Sequence, residues 1–136
     1  MYFNNSLGEI ELNPQGFLGE TKGDRLISNM SPLIIETKDG IATLGSPGAD
    51  RISSAIAQVL VNFSNYKNWQ ESIDKPRFHV NGDGTVRAEP KSFKDQNDVT
   101  FTDEYDMYFG GVCVSGLYGD IFSIGDKRRG NVSWKN

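Results

Sequence analysis

The chain has 136 residues, 37% of them hydrophobic, and a formal net charge of −4. This length suffices for one domain with its own core, and an acidic balance without a basic block argues against a nucleic-acid surface. No apolar run approaches the length of a membrane span. The single cysteine, Cys113, excludes an internal disulfide and a cysteine-cluster metal site, and we expect it to be a buried small residue.

The first third of the sequence predicts a β-hairpin. Residues 1–31 are polar and rich in glycine and asparagine, which indicates either an ordered loop or a flexible lead-in. The β-branched run 32–37 predicts a strand, and residues 41–44 predict the strand that returns after the Asp39-Gly40 turn.

The long helical pattern of the chain follows a glycine-containing turn over 45–51. We expect a helix over about 50–66, with Asp50 as its N-cap. A second, short helix is expected over 69–73 and ends before Pro76. The apolar positions that define the face of the longer helix are Ile52, Ile56, Val59, Leu60 and Phe63.

The remaining sequence predicts strands and turns. The Asn81-Gly82-Asp83-Gly84 turn joins two short strands, and residues 90–103 are polar and irregular. The basic segment 125–130 is expected to be exposed. Strands are predicted over 77–80, 85–88, 108–115 and 120–124, with a turn at 116–119. One main helix among strands indicates an α+β fold.

The turn Gly45-Ser46-Pro47-Gly48-Ala49-Asp50-Arg51 is a candidate anion site. Glycine permits backbone angles that side chains forbid, and the first N–H groups of the following helix lack partners at the positive end of the helix dipole. That geometry suits a phosphate, a carboxylate or the oxyanion of acyl transfer. A tight turn without a ligand is the alternative interpretation.

Five segments, in this order, form a recognisable set: Asn4-Asn5 with Glu9, Arg25-Leu26-Ile27-Ser28-Asn29-Met30-Ser31-Pro32, the turn continued to Ile52, Pro76-Arg77-Phe78-His79, and Gly125-Asp126-Lys127-Arg128-Arg129-Gly130. Together they resemble the C-terminal part of the γ-glutamyltranspeptidase family. The resemblance covers nearly the whole chain except residues 90–103, where the family usually has a helix.

The resemblance implies the C-terminal part of an N-terminal-nucleophile hydrolase αββα sandwich. Residues 1–136 would then form a single partial domain that lacks the nucleophile segment and the large subunit. The family transfers or hydrolyses the γ-glutamyl group of glutathione-like amides through an acyl-enzyme on an N-terminal threonine. The implied partners are the rest of the enzyme and a small γ-glutamyl substrate, and the resemblance implies neither a cofactor nor a metal.

The resemblance also assigns an oxyanion hole and a carboxylate pocket. The paired glycines whose N–H groups form the oxyanion hole fall on Gly48 and Ala49. An alanine keeps that donor at a negative φ and is strained at a positive one. The paired serines that grip the substrate α-carboxylate fall on Ser28 and Asn29, and the Asn29 amide still donates.

Further substrate contacts depart from the family pattern. The acidic residue that grips the substrate α-amine falls on Glu9, where the family has the shorter aspartate. The polar residue three positions earlier falls on Ser6, where glutamine or glutamate is usual. Arg51, and Arg128 or Arg129, are candidate bidentate partners for substrate carboxylates.

Simpler interpretations exist for several of these residues. Ser28 and Asn29 are common in loops for turn chemistry alone, and Arg128-Arg129 also fits a solvated tail. The only histidine, His79, lies in a short apolar strand and is expected to have a structural role.

Two functional hypotheses follow from the sequence. In the first, the chain is the C-terminal segment of a γ-glutamyltransferase or hydrolase whose threonine nucleophile lies upstream or on a partner, since no threonine here matches a catalytic position. In the second, the chain is a catalytically inactive truncated relative that binds carboxylates or a protein partner. The compartment remains open.

Overall fold

The computed structural model describes residues 28–92, 98–130 and 133–135. The predictions for Ser6 and Glu9, and most of the predicted lead-in, lie outside these residues. In chain order the elements are β1 (Leu33–Thr37), β2 (Gly40–Gly45), α1 (Ile52–Tyr66), α2 (Trp69–Asp74), β3 (Phe78–Val80), β4 (Val86–Ala88), β5 (Val99–Phe101), β6 (Cys113–Tyr118), β7 (Asp120–Ile124) and β8 (Trp134–Lys135).

The larger sheet has the strand order β1-β2-β6-β7-β8, and every neighbouring pair is antiparallel. Strands β1 and β2 pair from Leu33 opposite Leu44 to Thr37 opposite Gly40, which confirms the predicted hairpin. The smaller sheet has the order β3-β4-β5. Strands β3 and β4 form the second predicted hairpin.

Helix α1 packs on one face of the larger sheet. Ile56 and Val59 are buried there, as the helical pattern predicted, and Ala55 is buried beside them. The rings of Phe63 and Trp69 stack with centroids 3.6 Å apart, and this contact joins α1 to α2. The other buried members of the core are Ala42, Leu44, Ile73, Val112 and Val114.

The start of α1 differs from the prediction. The helix begins at Ile52 after a 3₁₀ turn over Ala49–Arg51, and its N-cap is Arg51 without a side-chain cap bond. The Asp50 carboxylate contacts Arg51 and His79 instead of the helix N–H groups. The prediction of Asp50 as N-cap was therefore wrong, because stronger charged partners hold its carboxylate. In α2, Asn68 is a true N-cap that accepts a bond from the Glu71 N–H at 3.0 Å.

Two segments predicted from local pattern take a different form. Residues 99–101, expected to be irregular, form β5, which pairs in parallel with β4. The strand predicted at 108–115 begins only at Cys113, because a 3₁₀ turn over Met107–Phe109 precedes it. The Asp106 side chain caps that turn by accepting a bond from the Tyr108 N–H. Cys113 is exposed rather than buried, since strand alternation turns its neighbours Val112 and Val114 into the core.

The C-terminal basic segment is not a solvated tail throughout. As whole residues, backbone included, Asp126 and Arg128 are 1% and 6% exposed, whereas Lys127 and Arg129 are exposed. A 3₁₀ turn over Lys127–Arg129, capped by the Asp126 side chain, directs Arg128 inward. The prediction of an exposed segment was wrong at Asp126 and Arg128 for this reason.

Arg128 belongs to a buried network of four charges. Its guanidinium pairs with Glu89 at 2.5 Å and with Asp126 at 3.1 Å, and Arg77 pairs with Asp126 at 2.7 Å. Each of these four side chains is at most 1% exposed. Two cations and two carboxylates thus neutralise one another away from solvent, which is the condition under which buried charges are tolerated.

Across the described parts of the chain, no helix has the length and apolar character that crossing a membrane requires.

Candidate functional site

The turn between β2 and α1 has a left-handed backbone at two consecutive residues. Gly48 has φ 131° and Ala49 has φ 50°. Glycine is suited to the first of these angles, since a side chain rarely adopts it. Of the two alternatives stated from the sequence, Ala49 takes the strained one with a positive φ. A left-handed conformation costs an L-residue roughly 1–2 kcal/mol.

The turn leaves two adjacent backbone donors without an acceptor among the described residues. The Gly48 carbonyl accepts a bond from the Arg51 N–H at 2.8 Å, which closes the turn. The N–H groups of Gly48 and Ala49 donate to no acceptor in the part of the chain that the structure describes. Adjacent free donors at the start of a helix form an arrangement that stabilises an anion or a developing oxyanion.

A second glycine pair, Gly110 and Gly111, contacts the turn. A Cβ atom on Gly48 would lie 3.3 Å from the Gly110 Cα, so the two backbones are in close contact. The Gly111 N–H donates to the Ser46 hydroxyl at 3.1 Å, and that hydroxyl donates to the Pro47 carbonyl at 2.8 Å. These bonds connect the turn to the strand entry at β6.

The buried charge network bonds to the backbone on both sides of this second glycine pair. The Arg77 guanidinium donates to the Phe109 carbonyl at 3.2 Å, and the Val112 N–H donates to Asp126 at 3.0 Å. These two contacts bracket Gly110 and Gly111. Sequence reasoning missed this role of Arg77 and Asp126, and the only available signal was that both lie in segments that carry the family resemblance.

Arg51 lies beside the turn with structural contacts already made. Its Nε donates to the Tyr108 carbonyl at 3.0 Å, and its guanidinium pairs with Asp50. The guanidinium carbon lies 4.5 Å from the centroid of the Tyr108 ring. The substrate role predicted for Arg51 remains a prediction, and these contacts show how its side chain is oriented near the turn.

His79 contacts the first turn of the helix. Its Nδ1 lies 3.0 Å from the Ser54 hydroxyl and its Nε2 lies 3.7 Å from the Asp50 carboxylate. The histidine is 8% exposed. Burial lowers the pKa of His79 below its ordinary value of 6.5, and the nearby Arg51 charge adds to this effect against the opposing pull of Asp50.

We expect His79 to titrate below pH 6.5 in the folded protein. The unfolded chain then binds this proton more readily, so the free energy of unfolding falls as the pH drops from about 6.5 toward the folded pKa. Above that window His79 contributes no pH dependence. Because the chain has one histidine, its imidazole proton signals can be followed by NMR without ambiguity. A midpoint at or above 6.5 would contradict the prediction.

Ser28 and Asn29 lie at the same end of the β1–β2 hairpin as the turn. Since Leu33 pairs with Leu44, the chain before β1 and the chain after β2 leave the sheet together. The Ser28 hydroxyl accepts from the Met30 N–H at 3.2 Å, and the Asn29 carbonyl accepts from a neighbouring hydroxyl at 2.9 Å. Both bonds are local, and Ser28 is exposed.

Comparison with known proteins yields a family match over most of the chain. The family model described as gamma-glutamyltranspeptidase matches residues 5–119. A glutathione hydrolase proenzyme of Pseudomonas sp. (strain A14) is 45% identical over 60 residues, which are 42% of this chain and 10% of that protein. The chain thus spans about a tenth of the length of this curated relative.

Solved structures share the fold at low sequence identity. The Bacillus anthracis transpeptidase CapD superposes with a TM-score of 0.71 and 22% identity over 90% of this chain and 81% of that one. The gamma-glutamyltranspeptidase of Pseudomonas nitroreducens complexed with L-DON gives a TM-score of 0.62 and 22% identity over 79% and 62%. These similarities confirm the predicted α+β fold of the N-terminal-nucleophile hydrolase type.

Proposed function

Because the chain belongs to the γ-glutamyltranspeptidase family, we propose that it is the C-terminal segment of an enzyme that transfers or hydrolyses γ-glutamyl groups. In this proposal residues 1–136 form one partial domain that supplies the oxyanion hole and part of the substrate pocket. The nucleophile belongs to a threonine outside these residues, on an upstream segment or a companion chain.

The proposed chemistry is acyl transfer in two steps. The threonine hydroxyl attacks the γ-carbonyl carbon of a γ-glutamyl amide while its own amine takes the proton. The C–N bond breaks, and the leaving amine takes that proton. Water or an acceptor amine then attacks the ester carbonyl and releases the threonine hydroxyl. In each step the carbonyl oxygen carries negative charge, and donors fixed beforehand lower the barrier.

The left-handed turn is the observation that carries this proposal. Gly48 and Ala49 present adjacent N–H groups without acceptors among the described residues, and their backbone is held by the contacts with Gly110 and Ser46. Lys67 and Lys91 also have positive φ among the described residues, so Ala49 supports the proposal through its N–H beside that of Gly48 and not through strain alone. Strained backbone that the surrounding structure maintains is typical of functional sites.

The substrate pocket is proposed from sequence positions. Ser28 and Asn29 would bind the α-carboxylate of the γ-glutamyl group, and their position at the same end of the β1–β2 hairpin as the turn supports this. Glu9 and Ser6 would bind the α-amine, and both lie outside the described residues. Arg51 would assist a substrate carboxylate from its position at the end of the turn.

A companion chain is proposed from the face of the larger sheet that no described element covers. Helix α1 covers one face, whereas the strand register brings exposed apolar side chains together on the other. Ile41 pairs with Leu117 and Leu117 with Ile121, so these three form one row across β2, β6 and β7. The exposed fractions are 41% for Ile41, 47% for Leu117, 58% for Ile121 and 71% for Ile34 on the same face. Contiguous exposed apolar residues of this kind indicate an interaction surface.

Purification of the protein from its source tests the proposal. We expect either a larger companion polypeptide or a chain that begins with threonine upstream of Met1, and release of 4-nitroaniline from γ-glutamyl-4-nitroanilide by the assembly. A lone species of 15.1 kDa without this activity would refute the enzyme proposal. It would favour an inactive, carboxylate-binding relative, which calorimetric titration with glutamate would then examine.

A further inference from the structure

Tyr108 stands at the centre of an arginine cluster next to the turn. The guanidinium carbons of Arg51 and Arg87 lie 4.5 and 4.7 Å from the centroid of its ring. The Tyr108 hydroxyl donates to the Asn81 side-chain oxygen at 2.6 Å, which holds the ring in place. Arginine groups at these distances interact favourably with the electron-rich ring face.

The two arginines differ in their charge partners. Arg51 is paired with Asp50. Arg87 is exposed, and in the described parts of the chain no carboxylate pairs with it. Asp106, which flanks Tyr108, accepts from the Tyr108 N–H at 2.8 Å. Arg87 therefore presents an ordered guanidinium with its charge available to a ligand.

The sheet register places Arg87 toward the turn. Arg87 on β4 is paired with His79 on β3, and His79 contacts Asp50 and Ser54 at the start of α1. Because the guanidinium carbons of Arg51 and Arg87 lie 4.5 and 4.7 Å from the same Tyr108 ring centroid, the two guanidinium groups are near each other. Arg87 is thus brought near the guanidinium of Arg51, the last residue of the turn, although it follows Arg51 by 36 positions in sequence.

We propose that Arg87, oriented by Tyr108, binds a substrate carboxylate that lies outside the γ-glutamyl group. This inference rests on the proposed function, in which Ser28 and Asn29 bind the α-carboxylate of the γ-glutamyl group itself. A second carboxylate belongs either to the leaving group of the donor or to the acceptor. A guanidinium binds a carboxylate through two parallel N–H bonds, which provides orientation as well as affinity.

Donors with and without a carboxylate on the leaving group test this inference on the assembled enzyme. For γ-glutamyl-3-carboxy-4-nitroanilide we expect Arg87→Gln to lower kcat/KM about tenfold, whereas hydrolysis of γ-glutamyl-4-nitroanilide changes less than about twofold. Arg87→Lys keeps the charge but loses the planar fork, and an intermediate value is expected. Lys38→Gln removes one exposed positive charge at the opposite end of the β1–β2 hairpin and should affect both donors equally little.

Acceptors supply the second arm of the test. Glycylglycine and glycylglycinamide differ in one carboxylate. A loss confined to the carboxylated donor assigns Arg87 to the leaving group, and a loss confined to glycylglycine assigns it to the acceptor. Equal losses, or no loss, with all four compounds would overturn the inference.

A binding measurement separates this inference from the proposed function. If the purified protein turns over no donor, calorimetric titration with 3-carboxy-4-nitroaniline and with glycylglycine still reports on the site. Weaker binding to Arg87→Gln by about tenfold, with Lys38→Gln unchanged, supports a carboxylate site without catalysis. Binding of both probes that is identical in wild type and Arg87→Gln refutes it, as does the absence of binding by both probes.

Discussion

Arg128→Met is expected to lower the free energy of unfolding by about 3–5 kcal/mol, because it leaves a buried carboxylate without its partner. Glu89 is 0% exposed and bonds the Arg128 guanidinium through both oxygens, at 2.7 and 2.5 Å. Urea denaturation monitored by the fluorescence of the two tryptophans measures the loss.

Arg129→Met is the matched control for this prediction. It removes the same charge one residue later, where the side chain is exposed and its guanidinium makes one bond to the Met107 carbonyl at 3.3 Å. We expect a change of less than about 1 kcal/mol, as for other exposed charges. Equal effects of Arg128→Met and Arg129→Met would show that the buried network does not stabilise the fold.

A double variant isolates the cost of the unpaired charge. Glu89→Gln combined with Arg128→Met removes both charges of the pair and leaves Arg77 paired with Asp126 at 2.7 Å. The glutamine oxygen can still accept from the Arg77 N–H, which lies 2.8 Å from Glu89. We expect the double variant to be more stable than Arg128→Met alone, because an unpaired buried charge costs more than the loss of a balanced pair.

Removal of the Ala49 N–H is expected to lower kcat of the assembled enzyme by about 10²- to 10³-fold, as for other oxyanion-hole donors. Replacing Ala49 by lactic acid through nonsense suppression converts the amide to an ester and keeps the methyl group. Gly48→Pro also removes a donor, but proline requires φ near −65° and Gly48 has φ 131°. That variant would therefore distort the turn, whereas the ester changes one atom.

Two controls accompany the ester. Ala49→Gly keeps the donor and relieves the left-handed strain, so we expect kcat within a few-fold of wild type. We also expect a modest gain in stability, because the relieved strain exceeds the extra conformational entropy that glycine loses on folding. An ester at Ala57, on the exposed face of α1, controls for the backbone replacement itself. An unchanged kcat with the Ala49 ester would remove Ala49 from the oxyanion hole.

Local pattern in the sequence predicted the elements whose residues interact with near neighbours. The apolar period of Ile52, Ile56 and Val59 predicted α1, and Asp39-Gly40 predicted the first hairpin. These predictions succeeded because helical faces and tight turns depend on contacts a few residues apart. The family resemblance added the fold and assigned the oxyanion hole to Gly48 and Ala49 of the turn that local pattern had located.

The tertiary structure alone decided where charges and side chains separated in sequence come together. Arg128 reads as solvated when only its basic neighbours are considered, and it is buried because Glu89 lies 39 residues earlier in sequence but within 2.7 Å in space. In the sequence Arg87 is an ordinary strand arginine, and only the structure shows that its guanidinium lies over the Tyr108 ring. Sequence by itself determined the family, the main helix and the position of the turn, whereas the conformation of Ala49 and the partners of each arginine depend on long-range packing that no local pattern encodes.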